Sequence, residues 1–528
     1  MHKPDPTADW PSSFPKFLHF LNSDQLATRG LVLLVAYALF RGLVGAATRP
    51  FWFDEVCTWI VARQPSLPGI WNALAHAADG QAPGFYVIER LSAALIRNEE
   101  IALRLPLILG FCCVIICVFV FTRRRAGPAY ALLCAAIPLA TLLFNWYAVE
   151  ARPYSLVVAC IALALVAYQR APSAAWMIVM GLSLAASLTL SYYAAFAMIP
   201  LGLAELAVCL TRRQIRWRVW FAFAFGVVPL VVFWPLLSKL KQVYGEHYYA
   251  GANLSGLIHA YGSFFMTPPP IAAAIAAGAL LGMMALIFSL ARHYSGLPTN
   301  ADDLLPEYVL VLALICLPPI GIVVAKLTHT GITDRYVLSG ILGIPLAFGF
   351  VFPRLDRRSV ILAAACLIAL LVVQEASFWK AMQRIGFRRF ESPAQSWERF
   401  VTLAGYPDLP VIVSDGLEYL PLAHYAALPW SDRMVCLFDP QNRLAFAGND
   451  TQDKQLEALR SFASLRVYDF PDFASQHKVF LLYSAVDDVG DPHHMWTERL
   501  IHDGYVLRVL AVDRTRIIYF VTGPQDSR

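Results

Sequence analysis

Two adjacent acids, Asp54 and Glu55, are the residues of this sequence best placed for acid–base chemistry. They follow the first apolar run of the chain, directly after Phe51, Trp52 and Phe53, which suit a membrane–water interface. Acids at such a depth are costly unless they are used or paired. Because adjacent side chains diverge, one acid can face a cavity while a partner holds the other. An acid pair that only fixes topology is the alternative, and both interpretations stay open here.

A second cluster, Glu150, Arg152 and Tyr154, lies in a short turn between two later apolar runs. A guanidinium group at such a turn could bind a phosphate through two parallel hydrogen bonds. The alternative is a structural Glu150–Arg152 pair that caps the following helix.

A third cluster contains Lys326, Arg335 and Tyr336, again beside apolar runs, and could contribute further cations to the same membrane face. An ordinary basic and aromatic interface belt is the alternative. Asp79 and Tyr86 lie between the first two apolar runs and are candidate substrate contacts, although an isolated Asp such as Asp79 more often caps a helix or turn.

The composition predicts a membrane protein around these clusters. Apolar residues make up 58% of the chain and charged residues 15%, against about 45–50% and about 25% in ordinary globular proteins. This balance excludes disordered, collagenous and nucleic-acid-binding proteins. Residues 379–528 differ, because they hold 16 Lys and Arg and 19 Asp and Glu, against 26 and 18 in the much longer stretch 1–378.

About eleven apolar stretches are near the length that crosses a bilayer as a helix, roughly 20 residues. They lie near 28–47, 106–122, 128–145, 153–169, 174–190, 192–210, 218–237, 270–291, 306–325, 336–352 and 359–378. Arg and Lys are concentrated in alternate loops, which places the N-terminus in the cytoplasm. An odd number of spans then puts the C-terminal part in the periplasm of a bacterium, at its inner membrane.

The predicted organisation therefore has three parts. Residues 1–27 form a cytoplasmic segment, 28–378 a transmembrane domain, and 379–528 a periplasmic domain. The transmembrane domain has a long first periplasmic loop at about 48–105, with an interfacial helix from Pro83 to Ile96, and a candidate lid at 238–269.

The C-terminal domain alternates strand and helix signals, which predicts a small α/β domain. The predicted strands are Val411–Ser414, Met434–Phe438, Val479–Tyr483, Tyr505–Val512 and Arg516–Val521, and the predicted helices are Asp450–Ser464 and Pro492–Asp503. The break at Asp513–Thr515 predicts a hairpin.

In this order and topology, the sequence resembles the GT-C superfamily of membrane glycosyltransferases, and in particular the group of lipid A aminoarabinose and galacturonic acid transferases and protein O-mannosyltransferases. The similar elements are the Asp54-Glu55 pair, the stretch from Asp79 to Tyr86, the run Ala102-Leu-Arg104-Leu-Pro106, the turn from Glu150 to Tyr154, and Arg335-Tyr336. The stretch from Asp79 departs from the family's Asp-x-His-Pro-Pro-Leu-Tyr pattern at Gln81, Ala82 and Gly84.

The resemblance implies an inverting transfer of a sugar from a polyprenyl phosphate to a lipid, glycan or protein acceptor. Asp54 would be the general base, and Glu55 would orient the site or contact the acceptor. Arg152 and Arg335, with Lys326, would bind the donor phosphate. Asp79, Tyr86, Glu150, Tyr154 and Tyr336 would contact substrate. No cofactor is required, and a divalent metal is compatible with the site.

Two other functions are consistent with the membrane composition. A transporter or flippase of a lipid-linked sugar would need a polar path or ionisable residues within the spans, and Glu205 and Glu375 are the main acids there. A non-catalytic scaffold would leave the outer clusters of acids and cations unexplained.

Overall fold

The computed structural model of the chain describes residues 24–245, 247, 249, 254–265, 305–328, 330–385, 392–486 and 495–524. This part is mostly helical and has one six-stranded sheet near its C-terminal end. The predicted span near 270–291 and residues 1–23 of the predicted cytoplasmic segment lie outside the described residues.

Most of the helices up to residue 385 coincide with the predicted apolar stretches. They are α1 (Asp24–Thr48), α2 (Phe53–Ala62), α3 (Leu67–Ala75), α4 (Pro83–Leu95), α5 (Glu99–Ala126), α6 (Pro128–Ala136), α7 (Leu142–Tyr147), α8 (Tyr154–Tyr168), α9 (Ala174–Leu190), α10 (Ala194–Arg212), α11 (Trp217–Val232), α12 (Trp234–Tyr244), α13 (Leu254–Phe265), α14 (Leu305–Ile315), α15 (Leu317–Thr328), α16 (Gly343–Val351) and α17 (Arg357–Ile385). A 3₁₀ helix, Asp334–Leu342, leads into α16.

Among the described residues, five helices are long and apolar enough to cross a membrane, and the number is seven if each of two bent pairs is one span. The bent pairs are α11 with α12, at 57°, and α14 with α15, at 68°. Three shorter apolar segments add to these. The chain is therefore a membrane protein with several spans, and ten of the predicted stretches contain helices. The total of eleven stays a prediction.

Local sequence signals explain where the helices of the first loop begin. The side chain of Ser66 accepts a hydrogen bond from the backbone N–H of Gly69 and caps α3, and Asn98 caps α5 in the same way. Pro83 is the first residue of α4, where its missing N–H costs nothing. The predicted helix from Pro83 to Ile96 is thus confirmed as α4.

The C-terminal part is an α/β unit. Its strands are β1 (Val411–Val413), β2 (Met434–Phe438), β3 (Val467–Asp469), β4 (Val479–Ala485), β5 (Val506–Val512) and β6 (Arg516–Thr522). Its helices are α18 (Pro393–Ala404), α19 (Gly416–Tyr425), α20 (Trp430–Arg433), α21 (Pro440–Ala447), α22 (Thr451–Leu459), α23 (Phe470–Gln476) and α24 (Met495–His502).

The sheet has the order β3-β2-β1-β4-β6-β5, in which the first four strands are parallel and β6 is antiparallel to both neighbours. Asp513 turns the β5–β6 hairpin by accepting hydrogen bonds from the backbone of Thr515 and Arg516. The five predicted strands and the hairpin are confirmed, whereas β3 was missed.

The two faces of this sheet belong to different cores, as the alternation of side chains along a strand requires. Ile412 packs in a cluster with Trp496, Phe470 and Phe480. Val411 and Val413 belong to a larger cluster that continues into the membrane part and includes Phe51 and Val56. The C-terminal unit is therefore packed against the first loop through a shared apolar core.

Candidate active site

The helix that carries Asp54 and Glu55 begins at these residues. The carboxylate of Glu55 reaches back and accepts a hydrogen bond from the backbone N–H of Trp52 at 3.3 Å, the arrangement of a capping box. Acids in the first turn also face the positive end of the helix dipole. Because neighbouring side chains on a helix diverge by about 100°, Asp54 and Glu55 have different surroundings.

Glu55 is completely enclosed by an ion pair with Arg104 of α5. The guanidinium Nε and Nη2 atoms of Arg104 each donate to one carboxylate oxygen at 2.7 Å, and both side chains are fully buried. The backbone N–H of Ala151 donates to Glu55 Oε1 at 2.7 Å. Arg104 also donates to the backbone carbonyls of Ala46, Arg49 and Pro50. These contacts suit a residue that orients the site, one of the two roles predicted for Glu55.

Asp54 instead contacts two guanidinium groups at the open side of the helix. Arg335 Nη1 lies 3.0 Å from Asp54 Oδ2, and Arg152 Nε lies 3.7 Å from the same oxygen. The Asp54 side chain keeps 13% of its surface exposed, whereas that of Glu55 keeps none. A ligand can therefore reach Asp54 but not Glu55. The structure brings together the predicted base and two of the three predicted phosphate-binding cations.

Asp79 holds Arg152 from the first loop. Its Oδ2 atom lies 2.6 Å from Arg152 Nη1, and its Oδ1 accepts the backbone N–H of Gly80 at 2.6 Å. Tyr86 is buried beside them, and burial together with the charge of Asp79 raises the pKa of its phenol well above the ordinary value. Asp79 and Tyr86 thus belong to the same cluster as Asp54.

Aromatic rings surround Arg335. Its guanidinium carbon lies 5.9 Å from the ring centre of Tyr154 and 5.8 Å from that of Tyr336, within the range of a cation–π interaction. Tyr249 lies at 6.0 Å and its hydroxyl accepts a hydrogen bond from Arg335 Nη2. Tyr154 and Tyr336, which were predicted to contact substrate, therefore lie beside Arg335, which in turn contacts Asp54.

The last turn of α12 and the segment after it link this site to the C-terminal unit. Tyr249 contacts Arg335, and the hydroxyl of Tyr244 donates to the carbonyl of Ala77 at 2.7 Å. From the other side, Lys454 of α22 donates to a backbone carbonyl of α12 at 3.0 Å. These residues belong to the predicted lid at 238–269, whose movement stays a prediction.

Several buried polar atoms of the cluster make no hydrogen bond to any residue that the structure describes. They are both carboxyl oxygens of Glu150, the hydroxyls of Tyr154 and Thr333, and the Nε atoms of Arg152 and Arg335. Buried polar groups are nearly always hydrogen-bonded in folded proteins. Their concentration at one place indicates a site for a polar ligand.

Glu150 is the buried acid of this group. Burial, together with the negative charges of Glu55 and Asp54, raises the pKa of Glu150 to about 8. It is therefore largely neutral at neutral pH. A neutral carboxyl can donate a hydrogen bond as well as accept one.

This raised pKa makes stability depend on pH. We expect wild type to lose melting temperature, relative to Glu150→Gln, as the pH rises from the ordinary value of 4.5 to about 8. The sign follows because the folded chain holds this proton after the unfolded chain has released it. Thermal unfolding in detergent across this range measures the difference, which should reach a few degrees above pH 8. Glu457→Gln, at an exposed position, is the control, and a pH-independent difference would contradict the raised pKa.

Lys326 is the predicted site residue that lies away from the cluster around Asp54. It lies in the last turn of α15 with an exposed side chain. No contact within the described part of the chain joins it to Asp54, Arg152 or Arg335. Its proposed contact with a donor phosphate stays a prediction.

Acids inside the spans are paired with arginines. Glu205 of α10 accepts a hydrogen bond from Arg216 Nε at 3.0 Å. Glu375 of α17 lies 3.0 Å from Arg41 of α1. These two acids were the ones that a polar transport path could have used, and the pairs give each of them a structural partner.

Comparisons with solved structures address the fold directly. The crystal structure of apo ArnT from Cupriavidus metallidurans, a GT-C lipid A aminoarabinose transferase, matches 94% of this chain and 100% of its own, with 15% identity and a TM-score of 0.57. The chain has a GT-C-like fold. This confirms the fold implied by the sequence resemblance.

Two further matches are weaker. ArnT bound to undecaprenyl phosphate covers 94% of this chain and 99% of its own at 16% identity, with a TM-score of 0.43. The match to the apo oligosaccharyltransferase of Archaeoglobus fulgidus covers 88% of this chain and 70% of that protein at 12% identity, with a TM-score of 0.46. Of these three structures, only apo ArnT has a TM-score above 0.5. No family model matches the sequence, and no curated protein matches it significantly.

The structure explains one departure from the GT-C sequence pattern. Gly84 stands where the family has Leu, at the start of α4. A Cβ atom there would lie 2.6 Å from the carbonyl oxygen of Thr189, near the end of α9. A larger side chain would push these helices apart, so Gly84 permits the close packing of the first loop that brings Asp79 and Tyr86 to Asp54.

Sequence reasoning missed the importance of Arg104. It appeared only as part of a family-like run, and not as a site residue. The signal was present, because a single cation among apolar residues at the edge of a span needs a buried partner. Arg104 fixes Glu55 within this GT-C-like fold and so determines how α2 enters the site.

Proposed function

We propose that this chain is an inverting membrane glycosyltransferase that uses a polyprenyl-phosphate-linked sugar as donor. The observation that carries the proposal is the convergence of Arg152 and Arg335 on Asp54, with a buried Nε atom on each guanidinium that makes no hydrogen bond to any described residue. A carboxylate beside two preorganised cations suits a reaction in which a hydroxyl loses a proton while a phosphate departs. The GT-C-like fold supports the same reaction class.

In the proposed step, the acceptor hydroxyl oxygen attacks the anomeric carbon of the donor sugar. The bond from that carbon to the phosphate oxygen breaks, and its electron pair stays on the phosphate. Asp54 takes the proton of the acceptor as general base. Arg152 and Arg335 bind the departing polyprenyl phosphate, whose negative charge grows as the bond breaks. Attack from the face opposite the phosphate inverts the anomeric centre.

Neighbouring residues would bind and orient the substrates. Glu55, held by Arg104, fixes the start of α2 and thereby the direction of Asp54. Asp79 keeps Arg152 in place, and Tyr86 lies beside Asp79. Glu150 and Tyr154 offer the substrates polar atoms that make no hydrogen bond within the described part of the chain. Tyr336 shields one side of Arg335, and Lys326 could meet the phosphate as the lipid approaches.

The location of these residues beside the spans suits a lipid-anchored donor. We infer that the site faces the periplasm at the bacterial inner membrane, with the N-terminus in the cytoplasm and the C-terminal α/β unit outside. A donor held in the bilayer could then reach Arg335 without crossing the membrane. The acceptor would be lipid A or lipopolysaccharide, another glycolipid, a polysaccharide or a protein.

Side chains of the protein supply every base and cation in the proposed step. In the described part of the chain, no three His, Cys, Asp or Glu side chains are placed to share one metal ion. The nearest acids, Asp54 and Asp79, both contact Arg152, so this donor set fits a guanidinium better than a divalent ion. A metal requirement can be tested with the reaction itself by adding a chelator.

The test is sugar transfer by the purified full-length protein in detergent. A panel of radiolabelled polyprenyl-phosphate sugars would be offered with lipid, glycan and peptide acceptors, and nucleotide sugars would serve as control donors. We expect label to enter an acceptor only from a polyprenyl-phosphate donor, with release of one polyprenyl phosphate per sugar and inversion of the linkage.

Three results would overturn the proposal. Transfer from nucleotide sugars alone would identify another donor class. Movement of the labelled lipid across a proteoliposome bilayer without transfer would indicate a transporter. Absence of both transfer and donor binding across the panel, with a folded protein, would favour a scaffold.

A further inference from the structure

The C-terminal unit touches the chain segment that leads into α2. At the end of α19, the hydroxyl of Tyr425 accepts the backbone N–H of Phe51 at 2.9 Å and donates to Glu100 Oε1 at 3.0 Å. The adjacent His424 packs its ring 4.7 Å from that of Trp59 on α2. One end of α19 therefore contacts both the segment that precedes Asp54 and the helix that carries it.

The same turn is held from the membrane side by Arg104. The guanidinium donates to the carbonyls of Arg49 and Pro50, and its carbon lies 5.1 Å from the ring centre of Phe51. Phe51 itself is buried. Residues 49–51 are thus fixed between a cation of α5 and a hydroxyl of the C-terminal unit, three residues before Asp54.

The hydroxyl of Tyr425 is the part of this contact that fixes the orientation of the backbone at Phe51. Apolar packing of Phe51 tolerates small rotations, whereas a hydrogen bond to its backbone N–H restrains the peptide plane. Without the hydroxyl this buried N–H would lose its partner, and the turn would relax. The Asp54 carboxylate must lie within hydrogen-bonding reach of the acceptor proton, so such a shift affects the reaction more than binding.

We propose that Tyr425 is a positioning residue for Asp54, acting across the interface between the C-terminal unit and the first loop. The proposal rests on the proposed role of Asp54 as general base. It assigns to the C-terminal unit a part in turnover in addition to any part in acceptor selection.

The test compares Tyr425→Phe with Tyr419→Phe. Both residues lie on α19, and each hydroxyl accepts one backbone N–H, but that of Tyr419 comes from Arg466 within the C-terminal unit at 2.8 Å. We expect Tyr425→Phe to lower kcat about tenfold, below the roughly hundredfold cost of an ångström misplacement. The KM for donor should stay within about twofold, since Arg152 and Arg335 are untouched. Tyr419→Phe should leave kcat unchanged.

A second pair of variants checks the other end of the hydroxyl. Glu100→Gln keeps an oxygen that accepts from Tyr425 and should retain most of kcat. Glu100→Leu removes the acceptor of the Tyr425 hydroxyl but leaves that hydroxyl to accept from the Phe51 N–H, so it should lower kcat less than Tyr425→Phe does. Adding Glu100→Leu to Tyr425→Phe should change kcat little, because the hydroxyl that Glu100 holds is then already absent.

Hydrogen–deuterium exchange separates this inference from the proposed function. Amides of residues 50–62 should exchange faster in Tyr425→Phe than in Tyr419→Phe, whether or not a donor has been identified. Equal exchange and equal kcat in the two variants would overturn the positioning role. Faster exchange without transfer by wild type would leave the contact intact as a structural link but refute the proposed reaction.

Discussion

Replacing Asp54 with Asn is expected to lower the rate of sugar transfer by about a thousandfold, within the range that positioned general bases contribute. Asn keeps the shape of the side chain but cannot take the acceptor proton. Donor binding should persist, because Arg152 stays bound to Asp79 and Arg335 stays among Tyr154, Tyr249 and Tyr336. Transfer of labelled sugar and binding of labelled donor, measured on the same preparation, separate the two effects.

The matched control is Asp472→Asn, at an exposed position in α23. It should transfer sugar at the wild-type rate. An Asp54→Asn protein that kept more than about a tenth of the wild-type rate would contradict the assignment of Asp54 as base. The neighbouring acids Asp79 and Glu150 would then be the next to test.

Replacing Arg104 with Met is expected to cause the largest loss of stability. Removing one partner of a buried ion pair typically costs about 3–5 kcal/mol, because the other charge is left buried and unpaired. Here Glu55 would lose both guanidinium contacts, and three backbone carbonyls would lose a donor. The apparent melting temperature in detergent and the yield of folded protein report the effect.

Two variants show whether the pair or only the bulk of Arg104 matters. Arg90→Met removes a half-buried guanidinium that donates to the carbonyls of Gln64 and Pro65, and should cost about 1 kcal/mol or less. Adding Glu55→Gln to Arg104→Met should recover part of the stability, since no charge is then buried. If Arg104→Met and Arg90→Met had equal melting temperatures, the buried ion pair would not be the main interaction that holds α2 in place.

The membrane helices could be predicted because apolar length is a property of a continuous stretch of sequence. The bends at α11–α12 and α14–α15 were missed, although Pro235 and the pair Pro318 and Pro319 lie at the start of each second helix. Proline interrupts helical hydrogen bonding there. The missed strand β3 has only three residues, of which Val467 alone is buried, so its apolar signal is weak.

The composition of the site could be predicted better than its pairings. Residue type and membrane depth indicated Asp54, Arg152 and Arg335 separately. Nothing in the sequence shows that Arg335 pairs with Asp54 and Arg104 with Glu55. The two acids are adjacent, so the surrounding sequence pattern is the same for both. The choice follows from how α2 is oriented, which depends on tertiary packing. Tyr425 was missed for the same reason, and Tyr249 was predicted as part of the lid segment but not as a contact of Arg335.

The contacts around α2 also differ in how much chain must be synthesised before each can form. Arg104 emerges 49 residues after its partner Glu55, whereas Arg335 follows Asp54 by 281 residues and Tyr425 follows Phe51 by 374. At a synthesis rate of about 5–20 residues per second, both partners of the first contact are present many seconds before both partners of the last.

During synthesis, the ion pair of Glu55 can therefore form long before the contacts of Asp54 and Phe51. A chain that ends before Arg335 would already contain the Glu55–Arg104 pair but would lack one of the two guanidinium groups that contact Asp54. Under the proposed function, such a chain would lack a phosphate-binding group, and one that ends before Tyr425 would transfer sugar more slowly.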